Sequence, residues 1–217
     1  MPGLDVIKFP TIGNTCPLAT IFMGLDSVEL IMEVEEHFSI SIPDSEAEKA
    51  VRVGDLVNVV AKILNVYSYD FKLREDVFSL VTSELKKIKP IIPEININDQ
   101  VINSLDLNNK EENKLLESII EIKLPGINTK ITERLSTLDK IRNWFDIDDD
   151  IGFDDLSWKR YVDILIAVNL NRFVKENEYK SKYEIYLAIM KITVAKIRVM
   201  YQEIGIEKSF TDDLGID

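Results

Sequence analysis

Residues 23–64 read MGLDSVELIMEVEEHFSISIPDSEAEKAVRVGDLVNVVAKIL, and the spacing of their apolar side chains decides the fold. Leu30, Ile31, Val34 and Phe38 recur in steps of three and four, laying one apolar stripe along a helix that starts near Asp26. Ser39–Pro43 breaks the pattern. Asp44 and Ser45 can cap a short helix through Ala50. Gly54 and Asp55 open a third helix whose buried side carries Leu56, Val57, Val60, Ile63 and Leu64. Ser27 falls in the first turn of the first helix, after a loop containing Gly24. A phosphodiester on its hydroxyl meets backbone N–H groups without helical partners and the positive end of the helix dipole. Glu29, Glu33 and Glu36 stand at i, i+4 and i+7 and so line one face, with Val28 and Met32 beside them. The plainest structural account of the same residues is a capping box, Asp26 with Glu29, on a solvated helix.

The segment resembles the acyl carrier protein family. GLDSVEL is similar to the modified-serine motif, EVEEHFSISIPD to the helix end and acidic loop that follow it, and VGDLVNVVAKIL to the last carrier helix. The resemblance covers about a fifth of the chain. It implies that Ser27 is the attachment point of a 4′-phosphopantetheine arm, loaded from coenzyme A by a magnesium-dependent phosphopantetheinyl transferase. The arm's thiol would hold an acyl or related group as a thioester in fatty acid or polyketide-type biosynthesis. Asp26 would orient the serine loop and help recruit the transferase. Val28, Glu29, Met32, Glu33 and Glu36 would form the docking face for acyl-transferring or acyl-activating enzymes with basic patches. Such a protein is a carrier and not an enzyme. The alternative is an unmodified helical adaptor or inhibitor that binds a partner through the same acidic face.

Outward from this segment the chain departs from the family. Carriers begin with a helix ahead of the serine motif. Residues 1–22 hold Pro2, Gly3, Pro10, Gly13 and Pro17, too many breakers for that helix. They read as a flexible leader, with Met23 a candidate start. The far end offers the missing piece. Residues 192–217, ITVAKIRVMYQEIGIEKSFTDDLGID, look like a carrier's first helix and following loop, and Leu214–Asp217 match Met23–Asp26. Tyr183, Tyr186, Leu187, Met190, Thr193, Val194, Ile197 and Tyr201 keep helical spacing, so a helix is expected over 183–204. Two arrangements stay open: a circularly permuted domain closed in cis or through a swapped dimer, or a truncated second copy.

The expected organisation is a leader (1–22), the carrier-like segment (23–66), a helical middle segment without assigned function (70–182) and the C-terminal helix and loop (183–217). Helices are expected over Asp76–Lys87, Lys110–Ile122 and from Trp158 to Val168. Strand-like alternation appears only in IIPEININ. The fold class is all-α, an acyl-carrier-like helical bundle with an additional helical segment. DIGFDDLSW echoes the serine motif, but Asp155 stands where the serine would be, and its side chain cannot carry a phosphodiester.

Charge narrows the partners. The 217 residues carry 38 acids against 26 bases, a net charge of −12, which repels nucleic acid and anionic membranes and favours basic protein surfaces. Within 23–64 nine acids face only Lys49, Arg52 and Lys62. A single cysteine, Cys16, permits no internal disulfide and fits a reducing compartment. No apolar run reaches the roughly 18 residues of a membrane span, and no signal peptide is read, so the expected location is the cytoplasm. The acidic run Asp146, Asp148, Asp150, Asp154, Asp155 fails as a calcium loop: Ile151 replaces the turn glycine and Ser157 the bidentate glutamate. His37, the one histidine, reads as a helix-end residue. Trp144 and Trp158 read as core, and no metal site is expected.

Overall fold

The computed structural model describes residues 25–125, 156–175, 178–197 and 199–216. Among these the chain is all-α, with α1 (Leu25–Phe38), α2 (Asp44–Ala47), α3 (Val53–Ile63), α4 (Lys72–Ile88), α5 (Lys110–Ile120), α6 (Trp158–Val168), α7 (Leu170–Phe173) and α8 (Lys182–Ile197), plus single 3-10 turns at Val101–Asn103 and Tyr201–Glu203. The proposed leader with Cys16 and Met23, the acidic run, Trp144, Asp155 and Asp217 lie outside the described residues.

The expected stripe on α1 is buried through Leu30, Val34 and Phe38. Ser39 ends this helix in the left-handed conformation, φ 52°, and the N–H of Ile40 bonds the carbonyl of Glu35 at 3.0 Å. Helix α3 starts at Val53. The N–H of Arg52 donates to the Asp55 carboxylate at 2.9 Å, and Val53, Leu56, Val57, Val59, Val60 and Ala61 are buried.

Helix α8 holds the bundle together. It packs against α1 and α3 on one side and against α6 on another, while α4 packs on α5 and α6. Tyr183, Ile185, Tyr186, Leu187, Ala188, Ile189, Met190, Ile192 and Thr193 are all buried. A helix apolar on every side is one surrounded by protein, so the single stripe expected for it is too narrow a description. One hydrophobic cluster runs through α1, α3, α4, α5, α6 and α8.

Several boundaries differ from expectation. The helix expected over 183–204 ends at Ile197. Beyond it the carbonyls of Tyr201 and Ile204 accept from the Arg160 guanidinium, the first at 2.7 Å, and the Glu203 carboxylate accepts the N–H of Met200 at 2.7 Å. These groups have partners outside a helical ladder, so nothing drives the helix onward. Helix α2 stops at Ala47 and not Ala50, α4 starts at Lys72, four residues early, and α5 stops at Ile120, where Glu121 turns left-handed, φ 52°. IIPEININ forms no strand. The only ladder-like pairings among the described residues are the isolated bridges Arg52–Ser209 and Gln100–Ser157.

A charged network crosses the interior. Arg74 on α4 donates to both carboxylate oxygens of Asp163 on α6, at 2.7 and 3.1 Å, and the Tyr183 hydroxyl on α8 donates to the same carboxylate at 2.6 Å. The Arg74 guanidinium lies 4.3 Å from the Phe71 ring centre and 4.7 Å from that of Tyr183. Burial, then the Asp163 charge, pushes the Tyr183 phenol well above its ordinary range.

Candidate functional site

Ser27 is the third residue of α1, half-buried, between exposed Asp26 and Val28. Helix α1 begins at Leu25, so Asp26 sits inside the first turn and not ahead of it as a cap. Its 14 residues aim a full helix dipole at that turn. The residues fit a phosphodiester on Ser27. The side chain sits in the first turn of an amphipathic helix with exposed neighbours on both sides, where the helix dipole favours an anion.

The five residues expected to form a docking face are not equivalent. Val28 and Met32 are 41% and 60% exposed. Glu29 and Glu36 are exposed beside them. Glu33 is only partly exposed, and its carboxylate lies 2.6 Å from Nζ of Lys196 on α8. The hydrogen bond and charge of Glu33 raise the Lys196 pKa, with smaller contributions from Glu29 and Glu36. At the far end of α1, His37 Nε2 is 2.6 Å from the Tyr179 hydroxyl, and Tyr179 stacks on Phe38 at 4.7 Å.

The C-terminal tail closes over this bundle. The N–H groups of Val53, Gly54 and Phe210 donate to the carbonyls of Lys208, Ile206 and Val51, at 3.0, 2.8 and 3.0 Å. Gly54 permits the approach, since a Cβ there would stand 2.8 Å from the Ile206 carbonyl oxygen. Asp213 accepts the N–H of Ser209 at 2.8 Å and an ion pair from Lys208 at 3.3 Å. The backbone bond leads in holding its carboxyl below the ordinary range. Gly215, φ 66°, turns the chain so that Ile216 donates to the carbonyl of Phe210 at 2.9 Å. Phe210, Leu214 and Ile216 are buried. Val194 and Ile197 pack against the cluster containing Leu30, Val34 and Val60.

Curated relatives match part of this architecture. The acyl carrier protein of Campylobacter concisus (strain 13826) is 56% identical over 40 residues, 18% of this chain and 52% of the relative. That of Campylobacter jejuni (strain RM1221) is 58% identical over 37 residues, 17% of this chain and 48% of the relative. The chain contains an acyl-carrier-like region. It spans about half the length of the curated relatives it matches. No family model matches the chain, and no solved structure does. The match leaves more than four fifths of this chain unaligned to these relatives.

Lys196 and Arg160 are the residues that sequence reasoning missed. Lys196 lies outside the serine motif and reaches α1 only through the packing of α8. Arg160 donates to the Tyr186 hydroxyl at 2.6 Å as well as to the tail carbonyls. It lines an open cleft of about 370 Å³ with Tyr69, Phe71, Lys159, Glu203 and Lys208. None of the cleft's lining residues belongs to α1. Two of its charges already have partners: buried Arg74 pairs with Asp163, and partly exposed Lys208 with Asp213. Among the described residues no group of three or more histidine, cysteine or acidic side chains is placed to hold a metal ion. No helix there is long and apolar enough to cross a membrane.

Proposed function

We propose that the protein is a non-catalytic carrier that holds an acyl or related group as a thioester on a 4′-phosphopantetheine arm attached to Ser27. The observation that carries this is the match to acyl carrier proteins, joined to a serine at the N-terminal turn of an exposed amphipathic helix. In loading, the Ser27 oxygen forms a bond to the phosphorus that carries pantetheine in coenzyme A. The bond from that phosphorus to the nucleotide part of coenzyme A breaks, and the hydroxyl proton passes to the transferase. The arm supplies a thiol that forms and releases thioesters. The chain's own residues present it: Asp26 flanks the serine, and Val28, Glu29, Met32, Glu33 and Glu36 receive partner enzymes with basic patches. The proposed site of action is the cytoplasm.

The proposed carrier unit is composite. Helices α1, α2 and α3 come from the segment that resembles a carrier from the serine motif onward, and in this reading α8 with the tail to Ile216 supplies the part of the family's first helix and loop. This is the permuted arrangement, closed in cis, with residues 70–182 inserted between the two parts. Packing of α8 on α1 and α3 supports it.

Co-expression with a broad-specificity phosphopantetheinyl transferase is expected to add about 340 Da, the mass of the arm, and Ser27→Ala is expected to remove the gain. An unchanged mass beside an active transferase, confirmed on a control carrier, rejects the carrier function and favours an unmodified adaptor.

A further inference from the structure

Helix geometry divides the acidic face of α1. At about 100° per residue, Val28, Met32, Glu36 and Glu29 occupy an arc of roughly 100°, and Glu33 lies about 40° beyond Glu29, toward the buried side. At that border Lys196 meets it at 2.6 Å, with both side chains a little over one third exposed. The face therefore already holds one cation, and the cation comes from the other end of the chain. It occupies the acid that a basic partner would otherwise reach.

We propose that Lys196 is an internal competitor for the docking face: by holding Glu33 it confines partner cations to Glu29 and Glu36 and slows association with basic enzymes. This rests on the carrier function proposed above and adds to it the shape of the partner. Glu29 and Glu36 are seven residues apart, roughly 10 Å along the helix, and Met32, the most exposed apolar side chain of α1, lies between them. The fitting partner is a protein surface with two lysine or arginine side chains about that far apart and an apolar recess between them. A partner that also claims Glu33 must first displace the Lys196 ammonium. An exposed ion pair is weak enough to exchange on encounter. Lys196 then acts on the rate of docking and leaves the chemistry at Ser27 untouched.

The test is the rate of arm loading on the full chain by a phosphopantetheinyl transferase with a basic docking surface, followed by intact mass at low and high salt. Lys196→Gln is expected to raise kcat/KM about 3- to 10-fold at low salt, through KM, and the gain is expected to vanish at high salt. Glu29→Gln and Glu36→Gln are each expected to slow loading several-fold. Glu33→Gln placed in the Lys196→Gln chain is expected to cancel the gain. Lys114→Gln on exposed α5 makes the same change in net charge far along the chain and is expected to give no gain. Urea unfolding of each variant separates loss of fold from loss of docking. If Lys114→Gln accelerates loading equally, or Lys196→Gln gives no gain while remaining folded, the competitor role is wrong and the carrier function stands. If the unaltered chain takes no arm, both fail together.

Discussion

Arg74 and Asp163 are charged residues among the buried ones, on different helices, each closing the other's hydrogen-bonding demand. A carboxylate in the interior is tolerated only while a cation and further donors satisfy it. Arg74→Met is expected to destabilise the fold by about 3–5 kcal/mol, because Asp163 is left with the Tyr183 hydroxyl alone. Arg74→Met with Asp163→Leu is expected to regain more than half of that loss. Urea denaturation midpoints check both, and a loss under about 1 kcal/mol for the single change shows that water reaches Asp163. The pair was not legible in the sequence. Asp163 breaks an otherwise apolar run, YVDILIAV, and an isolated acid there reads as the solvated side of a helix. Only the partner, 89 positions away, reverses that. Ser27 and its neighbours were legible because the N-terminal turn, the stripe and the acidic face are all local. Lys196 was not, since nothing in local spacing pairs it with Glu33.

At the scale of elements, helix interiors were legible and helix ends were not. Periodicity located α1, α3, α4, α5, α6 and α8, because each buries apolar side chains at helical spacing in the same cluster. The ends depend on distant partners, such as the Arg160 guanidinium that takes the carbonyls after α8. The tail shows the same dependence, being held by distant partners on α3. The Asp213 carboxyl is held below its reference value of 3.8 by the Ser209 N–H and Lys208. A depressed carboxyl contributes stability that is complete above its unfolded pKa and is lost as pH falls through the folded one. The tail is therefore expected to loosen from about pH 4 downward while α8 stays protected. Amide hydrogen exchange at Ser209 and Ile216 reads this, and Asp213→Asn is expected to show the low-pH exchange at neutral pH as well. Equal protection in both chains shows that the tail is held by its buried side chains alone.

Across the whole molecule one core joins residues from both ends of the described chain. Helices α1 and α3 bury their stripes against α8, so a chain ending at Lys180 loses the cover of both. Each fully buried large side chain left unpartnered is worth about 2–5 kcal/mol, and several together exceed the roughly 5–15 kcal/mol that keeps a typical protein folded. That shortened chain is expected to lose its cooperative unfolding transition and to bind the dye ANS. A retained sharp transition shows that the N-terminal helices have another partner. Among the described residues the all-α architecture was legible from periodicity. Which helix covers which was legible only where the C-terminal sequence resembles the start of a carrier, and the middle segment carries no comparable signal. The contact between His37 and Tyr179 spans 142 positions. A ribosome adding about 5–20 residues per second needs roughly 7–30 s to make that length of chain. Throughout that interval the nascent serine helix has been made and its covering helix has not. Until that helix emerges, the nascent bundle keeps the apolar stripes of α1 and α3 uncovered.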